Sequence, residues 1–119
     1  MKIIYISIPI MGCDNWKEDV QSVKSVINRA IESAGVKDKI KVVTPLDVYK
    51  GNPSTSYGRY LGEDIAFIAD KVDIVYMSNI QWYKSTGCTV EHTLACRMNK
   101  TICYTLADVF DEINKLRKK

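Results

Sequence analysis

Two kinds of hydrophobic pattern alternate along the chain, and each predicts one kind of element. Runs of β-branched and other apolar residues predict strands at 2–10, 40–44, 72–78 and 101–105. Apolar residues spaced by three and four predict helices, one from a cap at Asp14 or Asn15 to Gly35 and three more at 56–70, 86–98 and 107–118. Polar loops are predicted at 45–55 and 79–85.

This order of elements predicts the architecture. Strands that alternate with helices form a parallel sheet through right-handed crossovers, with helices on both faces. Strands buried on both faces are apolar almost throughout, as 72–78 is. We therefore expect one doubly wound α/β domain over 1–119, whose ligands bind beyond the carboxyl ends of its strands.

Composition narrows the classes of partner. The 119 residues are 46% hydrophobic and 26% charged, which is typical of a globular domain. No apolar run reaches the roughly 18 residues of a membrane span, and the N-terminal segment is too short for a secretory signal, so no membrane partner is expected. The net charge is +3, and the basic cluster Lys115, Arg117, Lys118 and Lys119 suits the last turn of a helix better than a nucleic-acid surface.

Cysteine usage and known motifs indicate neither a metal nor a cofactor. The four cysteines include no C-x-x-C pair, and a single histidine does not complete a zinc site. We expect reduced thiols and a cytoplasmic location. Neither G-x-x-x-x-G-K-[ST] nor G-x-G-x-x-G occurs, which disfavours ATP hydrolysis and dinucleotide binding of the usual kinds.

Two carboxylates occupy helix positions that the periodicity assigns to an apolar face. Glu91 belongs to a stripe with Cys88, Ala95 and Met98, and Asp64 belongs to one with Leu61, Ile65 and Ile68. A carboxylate on such a face is costly to desolvate unless it is paired or used. The alternatives are a Glu91 that bonds nearby amides or points to solvent, and an Asp64 on the flank of its helix.

The spacing between Asp64 and Asp73 predicts where Asp64 lies relative to the edges of the sheet. Asp73 opens the third strand, and Asp64 precedes it by nine residues on the preceding helix. At about 1.5 Å per residue, Asp64 lies roughly 13 Å back from the start of the strand, near the carboxyl edge and beside Glu91. Asp73 belongs to the opposite edge, so we expect it to be structural.

Two carboxylates that face one cleft suit glycosidic chemistry. One of them attacks or stabilises the anomeric carbon, and the other handles the proton of the leaving group. Tyr5, in the first strand, could orient Glu91 by a hydrogen bond, or its hydroxyl could be bonded elsewhere. The segment 85–87 opens a helix with hydroxyls and free amides, which suits either a bound phosphate or a plain N-cap. His92 points to another face, and we expect an ordinary histidine there.

Two segments resemble the nucleoside 2-deoxyribosyltransferase superfamily. The segment 4–12, IYISIPIMG, resembles its Y-I-S-G-P-x-x-G opening. The segment 82–91, WYKSTGCTVE, matches W-x-x-S-x-G-[AC]-x-x-E, a pattern of a short, largely uncharacterised bacterial and phage branch. The order of elements matches along essentially the whole chain. The resemblance implies a flavodoxin-like fold with four to five parallel strands, and a homodimer or larger assembly whose sites lie near subunit contacts.

The resemblance also implies residue roles. Glu91 would be the nucleophile that forms a glycosyl-enzyme, Asp64 the acid/base at the nucleobase, and Tyr5 the residue that orients Glu91. The substrate, a small nucleotide or nucleoside, would contact Ser7, Ile8, Pro9, Gly12, Asn79, Trp82, Ser85 and Gly87.

The position six residues before the glutamate separates substrate classes in the superfamily. Transferases carry an aspartate there, whereas deoxynucleoside 5′-monophosphate N-glycosidases carry a serine that binds the phosphate. Ser85 occupies this position, so the resemblance favours a phosphorylated substrate. Two positions depart from the pattern: Ile8 replaces a glycine that lets the substrate approach the backbone, and Met11 replaces an arginine of the phosphohydrolase relatives. The spacing between Asp64 and Asp73 is also one residue longer than the resemblance implies, so either the helix carries a bulge or Asp64 is not the equivalent residue.

The leading hypothesis is an enzyme that cleaves the N-glycosidic bond of a nucleoside 5′-monophosphate, or transfers its sugar. The alternative is a non-catalytic nucleotide-binding module of the same fold, which the residues at Ile8 and Met11 would explain. A third hypothesis is a purely structural or partner-binding domain that binds no nucleotide.

Overall fold

A computed structural model describes residues 1–10, 13–49 and 57–117, except for the side chains of 49 and 57–60. Within these ranges the chain forms four strands and five helices. They are β1 (Lys2–Ser7), α1 (Trp16–Ala34), β2 (Ile40–Val43), α2 (Pro45–Tyr49), α3 (Tyr57–Lys71), β3 (Ile74–Met77), α4 (Thr86–Arg97), β4 (Thr101–Cys103) and α5 (Leu106–Arg117). A single 3-10 turn, Trp82–Lys84, precedes α4.

The strands form one parallel sheet in the order β2-β1-β3-β4. The predicted doubly wound, flavodoxin-like α/β fold is therefore confirmed, with four strands. After β1 the chain places β2 on one side and then β3 on the other, so the strand order reverses between β1 and β3. Ligands of such sheets bind at the carboxyl ends of the two strands on either side of this reversal.

Side chains of β1 alternate between the two faces of the sheet. Ile4 and Ile6 belong to the buried cluster that α1 and α5 cover. Tyr5 belongs to the cluster that α3 and α4 cover. Ser7 has the same parity as Tyr5, so the alternation directs its side chain toward α3 and α4.

All four strands are shorter than the sequence predicts, and the reason is visible for two of them. β1 ends at Ser7 rather than at residue 10, because Pro9 has no N–H group for a sheet hydrogen bond. β4 ends at Cys103 rather than at residue 105. The amides of Tyr104 and Thr105 donate to Asp108 Oδ2 at 3.0 and 3.2 Å and so cap α5 instead of extending the strand.

Helix α2 lies where the sequence predicts only a loop. Thr44 N–H donates to Asp47 Oδ2 at 2.9 Å, and Asp47 N–H donates back to Thr44 Oγ1 at 3.4 Å. This reciprocal cap, with Pro45 at the first helical position, starts the helix. The segment 44–47, TPLD, carries this helix-start signal, although the polar pattern of 45–55 predicts only a loop.

Three structural predictions are confirmed. Gly35 ends α1 with a φ of 70°, a left-handed conformation that glycine adopts at low cost. Asp73 lies at the amino edge of the sheet, where its Oδ2 accepts the Ile3 N–H at 2.9 Å. All four cysteines are free thiols. In the described ranges, no helix is long and apolar enough to cross a membrane.

Candidate active site

Glu91 lies on the inner face of α4 and is 4% exposed. Two hydroxyls of β1 hold its carboxyl group. Tyr5 Oη donates to Glu91 Oε2 at 3.0 Å, and Ser7 Oγ donates to Glu91 Oε1 at 2.7 Å. Because Tyr5 and Ser7 are two residues apart on one strand, their side chains leave the same face and reach both oxygens of one carboxyl group.

Asp64 lies on α3 and is 2% exposed. Its charge helps to raise the pKa of Glu91, so the two helices bring the two carboxyl groups close together, as the spacing to Asp73 predicts. We call Asp64 and Glu91 the carboxyl pair. Two neighbouring buried carboxyl groups disfavour a second ionisation, so the carboxyl pair retains a proton. We call this retained proton the shared proton.

The surroundings of Glu91 raise its pKa to about 8. Burial is the largest cause, and the charge of Asp64 and the hydrogen bond to it act in the same direction. The hydrogen bonds from Ser7 and Tyr5 lower this pKa, because they favour the carboxylate form, but they do not outweigh burial. The shared proton consequently stays on the carboxyl pair at neutral pH.

The first turn of α4 begins beside Glu91. Ser85 is its N-cap, and Ser85 Oγ accepts the Cys88 N–H at 3.3 Å. Gly87 is buried in the same turn. Ser85 thus has the plain capping role that was one of its two predicted roles, and phosphate binding there stays a prediction.

A cavity of about 350 Å³ lies at the same end of the sheet, between the end of β1, α1 and the end of β3. Three residues predicted to contact substrate, Ile8, Pro9 and Asn79, line it. Its other lining residues are Cys13, Asp19, Ser22, Val23 and Ser78. Nothing in the sequence pattern indicates Asp19 and Ser22 as cavity residues, because polar residues on an amphipathic helix are ordinarily on its solvent-facing side.

Other predicted contacts are placed differently. Ser7 is fully buried and hydrogen-bonded to Glu91, so it positions the carboxyl group and does not line the cavity. Trp82 stacks on His92, with 4.2 Å between ring centroids, and does not line the cavity either. Gly12 and Met11 lie outside the described residues.

His92 follows Glu91 in α4 and lies on another face of the helix. His92 is half-buried, and His92 Nε2 lies 2.7 Å from the hydroxyl of Tyr104. It thus points away from Glu91, as predicted, and burial lowers its pKa. Met98, predicted to continue the inner stripe of α4, is 44% exposed because the helix ends at Arg97.

The fold and the site define a doubly wound α/β protein with a buried carboxyl pair at the point where its strand order reverses. A scan against models of known protein families found no match to this chain, and a search of curated proteins found none. In the part of the chain that the structure describes, no group of three or more His, Cys, Asp or Glu is placed to hold a metal ion.

Replacing Ser7 with alanine is expected to raise the pKa of Glu91 above its value of about 8, because a hydrogen bond that favours the carboxylate is lost. The pH titration of the side-chain carboxyl ¹³C signals, followed by NMR, measures this change. Ser78→Ala is the matched control. Ser78 Oγ donates to Ser7 O at 3.0 Å, so this variant removes a nearby hydroxyl with no bond to Glu91. Equal pKa values of Glu91 in Ser7→Ala and Ser78→Ala would contradict the assignment of Ser7 as a hydrogen-bond donor to Glu91.

Proposed function

We propose that this protein cleaves the N-glycosidic bond of a nucleoside or nucleoside 5′-monophosphate and passes the sugar to water or to a second base. The observation that carries the proposal is the buried carboxyl pair with its shared proton, in which Tyr5 and Ser7 fix Glu91. Such a pair offers a nucleophile and a proton donor at one point. The resemblance to the nucleoside 2-deoxyribosyltransferase superfamily supports the choice of an N-glycosidic bond, and it favours a homodimer.

The first half of the reaction uses the shared proton. The proton moves to Asp64 along the hydrogen bond within the carboxyl pair, and the hydrogen bonds from Tyr5 and Ser7 stabilise the carboxylate left on Glu91. A Glu91 oxygen then bonds to C1′ of the sugar. The bond from C1′ to the base breaks with its electron pair on the base, which takes the proton from Asp64.

Substrate entry has to separate the two carboxyl groups. Retaining glycosidases keep their two carboxyl groups about 5–5.5 Å apart, which is wider than a direct hydrogen bond. The sugar therefore replaces the direct contact between Asp64 and Glu91 as it binds.

The second half releases the sugar. Water attacks C1′ and gives a proton to the Asp64 carboxylate, and the bond from C1′ to Glu91 breaks with its electron pair on Glu91. One proton is again on the carboxyl pair. A second base in place of water gives sugar transfer by the same steps, since its attacking N–H also loses a proton to Asp64.

Binding without cleavage is the second candidate function, and Ile8 favours it. The side chain of Ile8 is 9% exposed, packs in the buried cluster under α1 and α5, and lines the cavity. It occupies volume that a glycine would leave to a ligand. In that case a bound nucleotide would be recovered unchanged.

Chromatography of a panel of nucleosides and 5′-monophosphates incubated with the protein tests the proposal. We expect free base to be released. The kcat/KM of this reaction should fall about tenfold per pH unit above pH 8, because the carboxyl pair then loses the proton that the base needs. Calorimetric binding without any released base would establish the second candidate. Base release at a constant rate from pH 7 to pH 10 would exclude the carboxyl pair as the proton source.

A further inference from the structure

The outer face of α4 carries a thiol beside an imidazole. Cys96 lies in the last turn of the helix, and its Sγ is 3.9 Å from both ring nitrogens of His92. Residues four apart on a helix are neighbours on one face, so α4 itself brings these two side chains together. We call them the thiol–imidazole pair. Glu91 lies on the inner face of the same helix, so this pair is separate from the carboxyl pair.

The imidazole of the pair is fixed by two aromatic side chains. Trp82 stacks on it, with 4.2 Å between ring centroids and 26° between ring planes. Tyr104 Oη lies 2.7 Å from His92 Nε2. When Nε2 carries the ring proton and donates it to this hydroxyl, Nδ1 keeps a free lone pair. Burial lowers the pKa of His92, so the ring is neutral at neutral pH and can accept a proton there.

This arrangement has the three parts of an activated nucleophile: the nucleophile, a base within reach of it, and a third group that orients the base. Cys96 is the nucleophile, His92 the base and Tyr104 the orienting group. The distance of 3.9 Å is long for a hydrogen bond to sulfur, but such contacts are often looser before a reaction partner binds.

Exposure separates Cys96 from most of the other thiols. Cys88 and Cys103 are buried, and burial raises the pKa of both, that of Cys103 to about 12. Buried thiols of this kind are inert. Cys13 and Cys96 are both exposed, but His92 is the single histidine of the chain, and it lies beside Cys96. Cys13 thus provides a matched thiol without an imidazole base.

We propose that Cys96 is a modification site at which a small-molecule disulfide, such as glutathione disulfide, forms a reversible mixed disulfide with the protein. His92 takes the thiol proton as Cys96 Sγ bonds to one sulfur of the reagent. The S–S bond of the reagent breaks with its electron pair on the second sulfur, which takes the proton from His92 and leaves as a thiol. The protein thiol is oxidised, and half of the reagent is reduced. This reaction is independent of the proposed function, because neither member of the carboxyl pair takes part in it.

The rates at which glutathione disulfide modifies Cys13 and Cys96 test the proposal, and mass spectrometry of the digested protein gives both rates from one sample. We expect Cys96 to react at least about tenfold faster than Cys13. His92→Phe keeps an aromatic ring against Trp82 but has no base. It should slow Cys96 by at least about tenfold and leave the rate at Cys13 within twofold of the parent.

Hydroxyethyl disulfide, which is neutral, provides the control for charge. Arg97 is next to Cys96 and attracts an anionic reagent such as glutathione disulfide, whereas proton transfer to His92 acts on both reagents. The preference for Cys96 over Cys13 should therefore persist with the neutral reagent. Loss of the preference with this reagent would overturn the proposal, because attraction by Arg97 would then explain the rates.

Two further results would overturn the proposal: equal rates at Cys13 and Cys96 in the parent, or an unchanged rate at Cys96 in folded His92→Phe. Circular dichroism shows whether this variant folds. Tyr104→Phe provides the test if it does not, since Tyr104 is exposed and the change removes only the hydroxyl that orients the imidazole. The rate at Cys96 should then fall at least twofold, and an unchanged rate would overturn the proposal.

Discussion

Replacing Glu91 with glutamine is expected to reduce base release at least about a thousandfold, because an amide oxygen is too weak a nucleophile to form the glycosyl ester. The same replacement is expected to make the folded protein more stable at alkaline pH. Glutamine resembles the protonated form of Glu91, since its oxygen can accept the Ser7 hydroxyl and its NH₂ group can donate to Asp64. The fold is therefore preserved while the reaction is lost.

The stability gain follows from the direction of the pKa change. Glu91 has a pKa of about 8 in the folded protein, well above the value of about 4.3 in an unfolded chain. Stability from its protonated form is fully present below the unfolded pKa and is lost as the pH rises toward 8. Glutamine has no proton to lose, so the free energy of unfolding should exceed that of the parent by about 5 kcal/mol at pH 9.

Urea unfolding of the parent and of Glu91→Gln at pH 4.5 and pH 9 measures this effect. The two free energies of unfolding should be close at pH 4.5 and diverge at pH 9. Glu63→Gln is the matched control, since Glu63 is exposed on α3 next to Asp64 and should show no such divergence. A difference between Glu91→Gln and the parent that is the same at both pH values would contradict the ionisation of a buried carboxyl pair.

Replacing Asp64 with asparagine is expected to slow base release by about a hundredfold to ten-thousandfold, the usual contribution of a positioned proton donor. The loss should depend on the leaving group. A natural base leaves poorly without a proton, whereas a sugar bonded to 4-nitrophenolate needs little help. The variant should therefore lose much less activity on the nitrophenyl substrate, because Glu91 can still attack C1′.

Rates with a nucleoside and with the 4-nitrophenyl glycoside of the same sugar provide the measurement. Asp70→Asn, at an exposed position of the same helix, is the matched control and should retain parental rates on both compounds. Equal losses on the two compounds in Asp64→Asn would exclude Asp64 as the proton donor and leave it a positioning role toward Glu91.

The local sequence pattern by itself determined the class of fold and identified the two carboxyl groups as candidate functional residues. Strand and helix periodicities follow from backbone geometry, and they specify a parallel, doubly wound sheet whichever ligand it binds. Glu91 and Asp64 stood out because a carboxylate on an apolar helix face is costly unless its surroundings compensate. Helical rise and the position of Asp73 were enough to place Asp64 near the carboxyl edge.

What those carboxyl groups touch was decided only by the tertiary structure. Ser7, expected to contact substrate, holds Glu91, and Trp82, expected at the substrate, stacks on His92. Asp19 lines the cavity because α1 packs beside the end of β1, which only the tertiary structure shows. These contacts join residues far apart in the chain, and their distances depend on strand order and on the packing of helices on the sheet. Periodicity along one segment carries no such information, because it fixes the face a side chain leaves and not the neighbour it meets.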